Sequence, residues 1–260
     1  MGPLVLPPRL SDDSTRIAAA AVAAGLPVLR LPGWRVPDGT VACALYAEPL
    51  YADVVSGPLG LALLEAPLDW LVNCPAGLSR RPVRATTLAR ARTLTGGPVF
   101  VKAADDKSVP PAVYATGADL PDEQTADGTT LVLVQGVVRF TAEYRLFCLD
   151  RQVTTGSRYA VYGTLAEAPL DGPEASGAVA FAVHALTVAG RTLPRATVLD
   201  VGLTCTGDWA VVEANAPWGS GLYAADEHLA LPVVLAGSKP RVLLDPAELP
   251  FVRKTPDIGW

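Results

Sequence analysis

Three oxygen-bearing side chains late in the chain, Asp200, Glu213 and Asn215, are spaced to share one cation. They lie in VLDVGLTCTGDWAVVEAN, where two β-rich runs flank Thr206-Gly207. If those two residues form the turn, positions that sum to the same number face each other, and Asp200 stands directly opposite Glu213. Cβ atoms of such a pair are about 4.5 to 5.5 Å apart, so two carboxylates there repel. A divalent cation removes the conflict. Asn215, two residues beyond Glu213, points to the same face and adds a neutral carbonyl oxygen. Such oxygens suit magnesium, which also keeps waters and takes phosphate oxygens. The plain alternative is an exposed hairpin whose polar face happens to carry acids. The apolar neighbours Val198, Leu199, Val201, Val211 and Val212 count against it.

A second set suits an anion. Lys102 ends the strand Pro98-Val99-Phe100-Val101, from which an ammonium reaches a phosphate as a point charge. Lys107 follows in a polar loop that can fold over the same group; two solvated surface lysines are the alternative. The run from Leu131 ends in backbone groups of Gln135, Gly136, Val137 and Val138 that can pair with an adenine edge. Glu143 can accept from ribose hydroxyls. Arg145, on the same strand face, can hold a phosphate or a carboxylate with two prongs. A simple Glu143–Arg145 salt pair is equally compatible. Directly after the acidic hairpin, Trp218, Gly219 and Ser220 open a glycine-rich segment whose backbone can approach a ligand closely. Trp218 is read either as a stacking surface for substrate or as a packed core residue.

The elements that must position these groups change character along the chain. The first third alternates strands and helices: Leu4 to Leu6, a helix capped by Ser11 and Asp12 and stopped at Gly25, then strands at Pro27 to Leu31, Val41 to Tyr46 and Leu61 to Glu65. That order predicts a parallel sheet with crossover helices. Trp70 to Arg81 reads as a linker, and a boundary is placed at 76, giving parts 1–76 and 77–260. The middle predicts a largely antiparallel sheet, followed by a helix from Glu174 to Gly190 and the acidic hairpin.

Bulk properties exclude several classes. The 260 residues, half of them hydrophobic, can bury a substantial core. The longest apolar stretch, Ile17 to Leu29, is too short to span a bilayer and contains Gly25 and Pro27. The start of the chain lacks a basic region followed by an apolar one, which predicts a cytoplasmic protein. A net charge of -5 argues against a nucleic-acid partner, although Arg80, Arg81, Arg84, Arg90 and Arg92 could hold phosphates. Cys43, Cys74, Cys148 and Cys205 show no CxxC spacing and read as small core residues.

Together, FVKAADDK, VLVQGVV, EYRLF, VLDVG and VVEANAPWGSG resemble the ATP-grasp superfamily, and most closely its clade named for two arginines and a lysine. Asp69-Trp70, the Arg80 to Arg84 step and VEANAPWGSGLYAAD carry the closer likeness. The resemblance implies an α/β and α+β chain: a Rossmann-like preATP-grasp part, then two α+β halves gripping ATP. It implies that Lys102 and Lys107 bind ATP phosphates, Gln135 to Val138 the adenine, and Glu143 the ribose. Asp200, Glu213 and Asn215 would hold Mg2+. Arg84 would be the phosphate-side arginine, and Arg145 would stabilise the transferred phosphoryl group. Two positions depart from the pattern: Gly136 where an acidic residue is frequent, and Ala103 in place of a proline.

The implied activity is a magnesium-dependent ligase that joins a small-molecule or peptide carboxylate to an amine through an acyl-phosphate. A non-catalytic nucleotide-binding module and a kinase-like phosphotransferase are the competing readings. The intact Asp200, Glu213, Asn215 set speaks against the first.

Overall fold

The computed structural model describes residues 2–105 and 108–254. Lys107 therefore lies outside the described residues. The chain opens with β1 (Leu4–Leu6), wholly buried, and α1 (Asp12–Ala23), where the Ser11 hydroxyl accepts the Ser14 amide at 3.1 Å. Gly25, at φ 73°, ends that helix. β2 (Val28–Arg30) and β3 (Ala44–Leu45) flank β1 in parallel, as the alternating pattern predicts. α2 (Pro49–Ser56) follows; β4 (Leu61–Leu63) lies outside that sheet. The predicted linker is not a loose segment. It carries α3 (Ala76–Ser79), and its Trp70, Leu71 and Leu78 are buried in a core shared with strands of the next sheets.

β5 (Val83–Thr87), α4 (Leu88–Ala91), β6 (Val99–Ala103), β7 (Ala112–Tyr114) and β8 (Leu131–Gln135) build a four-stranded antiparallel sheet in the order β5-β8-β6-β7. A larger sheet follows, formed by β9 (Phe140–Leu149), β10 (Gln152–Val161), β11 (Thr164–Pro169), then α5 (Gly172–Ala189), β12 (Ala196–Thr204) and β13 (Trp209–Asn215). Its order is β11-β10-β9-β12-β13. Strand alternation divides its side chains. Tyr144, Leu146 and Cys148 face the small residues Ala175, Ala178, Ala182 and Ala185 of α5. Phe147 and Val198 face the opposite way, toward the N-terminal strands and α6 (Glu227–Ala236).

The C-terminal stretch returns to the start of the chain. β14 (Ser238–Pro240) pairs antiparallel with β4, Leu64 bridges to Val252, and Trp218 is buried in the N-terminal core. Among the described residues no helix is long and apolar enough to cross a membrane. Of the four cysteines, Cys74 and Cys148 are buried as expected, whereas Cys43 is half-buried and Cys205 exposed. Cys205 sits in the hairpin loop, where no core is available to cover it.

Candidate active site

Asp200 does stand opposite Glu213, but not by way of a two-residue turn. The loop is Cys205-Thr206-Gly207. The Thr204 amide donates to the Asp208 carbonyl at 2.8 Å, the Gly207 amide to Thr204 at 2.9 Å, and Gly207 takes φ 86°. A three-residue loop of this kind needs a left-handed third residue, which glycine supplies without steric cost. It shifts the register by one, so Val201 pairs with Val211 and Leu203 with Trp209. A bulge at Val212 then shifts it back, and Asp200↔Glu213, Leu199↔Ala214 and Val198↔Asn215 follow. Two offsetting irregularities thus produce the predicted opposition.

The carboxylates sit in a dense polar cluster. Asp200 is 1 % exposed. Arg145, its cross-strand neighbour on β9, donates Nε to Oδ1 at 2.9 Å and Nη2 to Oδ2 at 2.7 Å. Lys102 on β6 donates Nζ to Glu213 Oε2. The Asn215 Nδ2 lies between Asp200 Oδ2 at 3.2 Å and Glu213 Oε1 at 3.1 Å. Burial pushes the Asp200 carboxyl up to about 6, with Arg145 opposing. Burial also pushes Glu213 up, but Lys102 and Asn215 outweigh it and hold that carboxyl well below the usual range. Arg145 remains a guanidinium despite burial, because Asp200 is beside it. Its face lies 5.1 Å from the Tyr223 ring centre and 5.8 Å from that of Tyr159.

Every donor in this cluster is aimed at carboxylate oxygens. The protein's own ammonium, guanidinium and amide therefore stand where an external cation would bring its charge. Asn215 presents Oδ1 in place of Nδ2 after half a turn of its amide. Two carboxylates and an amide oxygen make a hard-oxygen set that fits magnesium. Among the described residues no group of three or more His, Cys, Asp or Glu side chains forms a metal site, so any cation site here rests on this mixed set.

Two cavities meet at Lys102 and Glu213. The larger, about 700 Å³, is lined by Gln135, Gly136, Val137, Val138, Glu143 and Phe100, all between the two sheets. It holds every residue expected at the adenine and ribose. Glu143 accepts the Tyr159 hydroxyl at 2.9 Å, and no ion pair joins it to Arg145 among the described residues. At Gly136 an added Cβ would stand 3.0 Å from the Pro82 ring, so a side chain there requires that ring to shift by a few tenths of an ångström. The smaller cavity, about 190 Å³, runs on past Glu213 and Asn215 to Trp218, Gly219, Ser220 and Glu65. Trp218 is 1 % exposed and donates Nε1 to the Leu64 carbonyl at 3.1 Å, so it is a packed residue at the cavity wall. Ser220 is buried and donates its hydroxyl to Ala216 at 2.7 Å.

Arg84 stands exposed on β5 and lines neither of these cavities. Arg81, three residues earlier, lines the larger one. Its guanidinium reaches Gln135 Oε1 and the carbonyls of Ser79, Val211 and Val212, at 2.7–2.9 Å. Position 81 precedes the strand, where no periodicity singles out one arginine of the run. Behind Trp218, Arg253 binds Asp53 with two prongs, at 2.7 and 3.0 Å, and also reaches Glu65 and Asp105. This network joins residues too far apart in sequence to be linked by spacing.

A family model for the ATP-grasp domain, family 2 of the clade named for two arginines and a lysine, matches residues 78–233. No curated protein matches the chain. Among solved structures, a RimK domain protein ATP-grasp from Sphaerobacter thermophilus DSM 20745 is similar at 17% identity, covering 90% of this chain and 97% of that one, with a TM-score of 0.51. D-cycloserine synthetase DcsG is similar at 18% identity, covering 90% of this chain and 98% of that one, with a TM-score of 0.52.

Proposed function

Since the chain belongs to family 2 of the ATP-grasp clade named for two arginines and a lysine, we propose that it is an ATP- and magnesium-dependent ligase that activates a carboxylate as an acyl-phosphate and joins it to an amine. The observation that carries this reading is the meeting of Lys102, Arg145, Asp200, Glu213 and Asn215 at the junction of a nucleotide-sized cavity and a smaller one.

The backbone from Gln135 to Val138 receives adenine, and Glu143 receives the ribose. Lys102 exchanges Glu213 for the phosphates, a short move for an ammonium on a flexible stem. Asp200, Glu213 and the Asn215 amide oxygen hold magnesium, which supplies charge neutralisation at the triphosphate when bound. Arg145 orients Asp200 through both guanidinium prongs, and with Lys102 it offsets negative charge on the transferred phosphoryl group. Lys107 remains a candidate phosphate contact, whereas Arg84, exposed and outside both cavities, does not stand beside the phosphates. Gly219 and Ser220 line the smaller cavity, where the acceptor would stand. Positioning and electrostatics account for the chemistry, and no side-chain nucleophile is required.

A screen of amino acids and peptides for ADP release, with mass spectrometry of each hit, tests the reading. A product lighter by water than its two substrates supports a ligase; a substrate heavier by a phosphoryl group means a phosphotransferase. Asp200→Ala and Glu213→Ala should each abolish magnesium-dependent ADP release while the circular dichroism spectrum is retained. Wild-type turnover in both variants refutes the assignment of the cation site.

A further inference from the structure

The bulge at Val212 decides where Glu213 points, and one side chain outside the cation set holds that bulge. Successive carbonyls of a regular strand point to opposite edges. Here the carbonyls of Val211 and Val212 both accept from the Arg81 guanidinium, at 2.7 Å from Nη1 and 2.9 Å from Nη2. One planar group can serve both because the extra residue has turned the two peptides the same way. β13 is the edge strand of its sheet, so these carbonyls have no further strand to pair with on that side. The same guanidinium is fixed by Ser79 O and by Gln135 Oε1, each at 2.8 Å. Gln135 is 3 % exposed and begins the backbone run that lines the larger cavity.

The alternative register is specific. Without the bulge, the pairing set by the loop continues, Asp200 faces Val212, and the Glu213 side chain turns to the opposite face of the sheet. A one-residue slip therefore separates the two carboxylates entirely.

We propose that Arg81 is a positioning residue for the cation site. By holding the two bulge carbonyls it keeps Glu213 opposite Asp200, and through Gln135 it ties that register to the nucleotide cavity. The claim rests on the ligand set proposed above, and its role is distinct from direct contact with phosphate.

The test compares wild type, Arg81→Met and Arg81→Lys in three measurements. These are binding of Mn2+ alone by electron paramagnetic resonance, binding of ATP in EDTA by calorimetry, and amide hydrogen exchange across residues 209–215. Loss of a group that orients a metal ligand commonly costs about 10–100-fold in metal affinity. Arg81→Met should weaken Mn2+ by at least about tenfold, with metal-free ATP changed by less than about threefold, and should speed exchange across 209–215. Arg81→Lys, with one charge but no planar fork, should recover part of the loss. Unchanged Mn2+ affinity with loss of metal-free ATP binding overturns the proposal and makes Arg81 a phosphate ligand. If wild type takes up no Mn2+, the cation reading falls, and hydrogen exchange still decides whether Arg81 holds the bulge. If Arg81→Met does not fold, Arg81→Lys carries the same comparison.

Discussion

Glu65→Gln should alter how stability depends on pH. Glu65 sits 16 % exposed against Arg253, whose Nη1 lies 3.0 and 3.1 Å from its two oxygens. That nitrogen also serves Asp105 at 2.6 Å, while Nε and Nη2 are committed to Asp53. One guanidinium thus faces three carboxylates. Burial pushes the Glu65 carboxyl from 4.5 up to about 7, with Arg253 opposing and Asp105 and Asp53 adding to the rise. The folded chain therefore holds this proton more tightly than the unfolded one. The stability it confers is full below the unfolded value and is lost as pH rises through 4.5 toward 7. At about 1.4 kcal/mol per pKa unit, the loss is about 3 kcal/mol. Glutamine is neutral throughout and keeps an acceptor for Arg253. Urea unfolding of both proteins should show the variant gaining about 3 kcal/mol relative to wild type between about pH 4.5 and about pH 8. A difference that stays constant to within about 0.5 kcal/mol over that window would refute the charge imbalance around Arg253.

Two further outcomes follow from the same contacts and from the hairpin loop. Arg253→Met leaves Asp53, 7 % exposed, without its counter-charge. The cost should be about 3–5 kcal/mol, a fall of about 6–20 °C in Tm at about 2–4 °C per kcal/mol, read by calorimetry. Gly207→Val forces a β-branched residue to φ 86°, costing about 1–2 kcal/mol; a Tm equal to wild type would contradict the loop geometry.

Part of the order of strands and helices was legible, where it rests on local signals; β5, β7 and β11 were not, and β4 pairs with β14 rather than joining the first parallel sheet. Ser11 caps α1, Gly25 ends it, and Trp209–Asn215 bounds β13 as the apolar run suggests. The opposition of Asp200 and Glu213 was legible for an incomplete reason. Residue sums located the pair, while the loop and the bulge that create it cancel and leave no trace in the count. Arg84 was singled out by the family resemblance alone, yet Arg81 lines the cavity, since only tertiary contact distinguishes arginines in one run. Trp218 presented two readings from sequence, and burial against Leu64 resolves them in favour of packing. Strand β7 and strand β11 are short edge elements whose pairing comes from neighbours rather than from their own composition.

The pairing of β4 with β14 imposes an order on biosynthesis. Residues 61–63 emerge from the ribosome long before residues 238–240, so during translation that strand edge waits for a partner encoded far downstream. A nascent chain halted before position 238 would present an unpaired apolar edge, a template for aggregation, and would still lack the Arg253 clasp on Asp53. Closure of the N-terminal unit is thus a late event, and truncations from the C-terminal side should damage the first strands of the molecule before they reach its larger sheet.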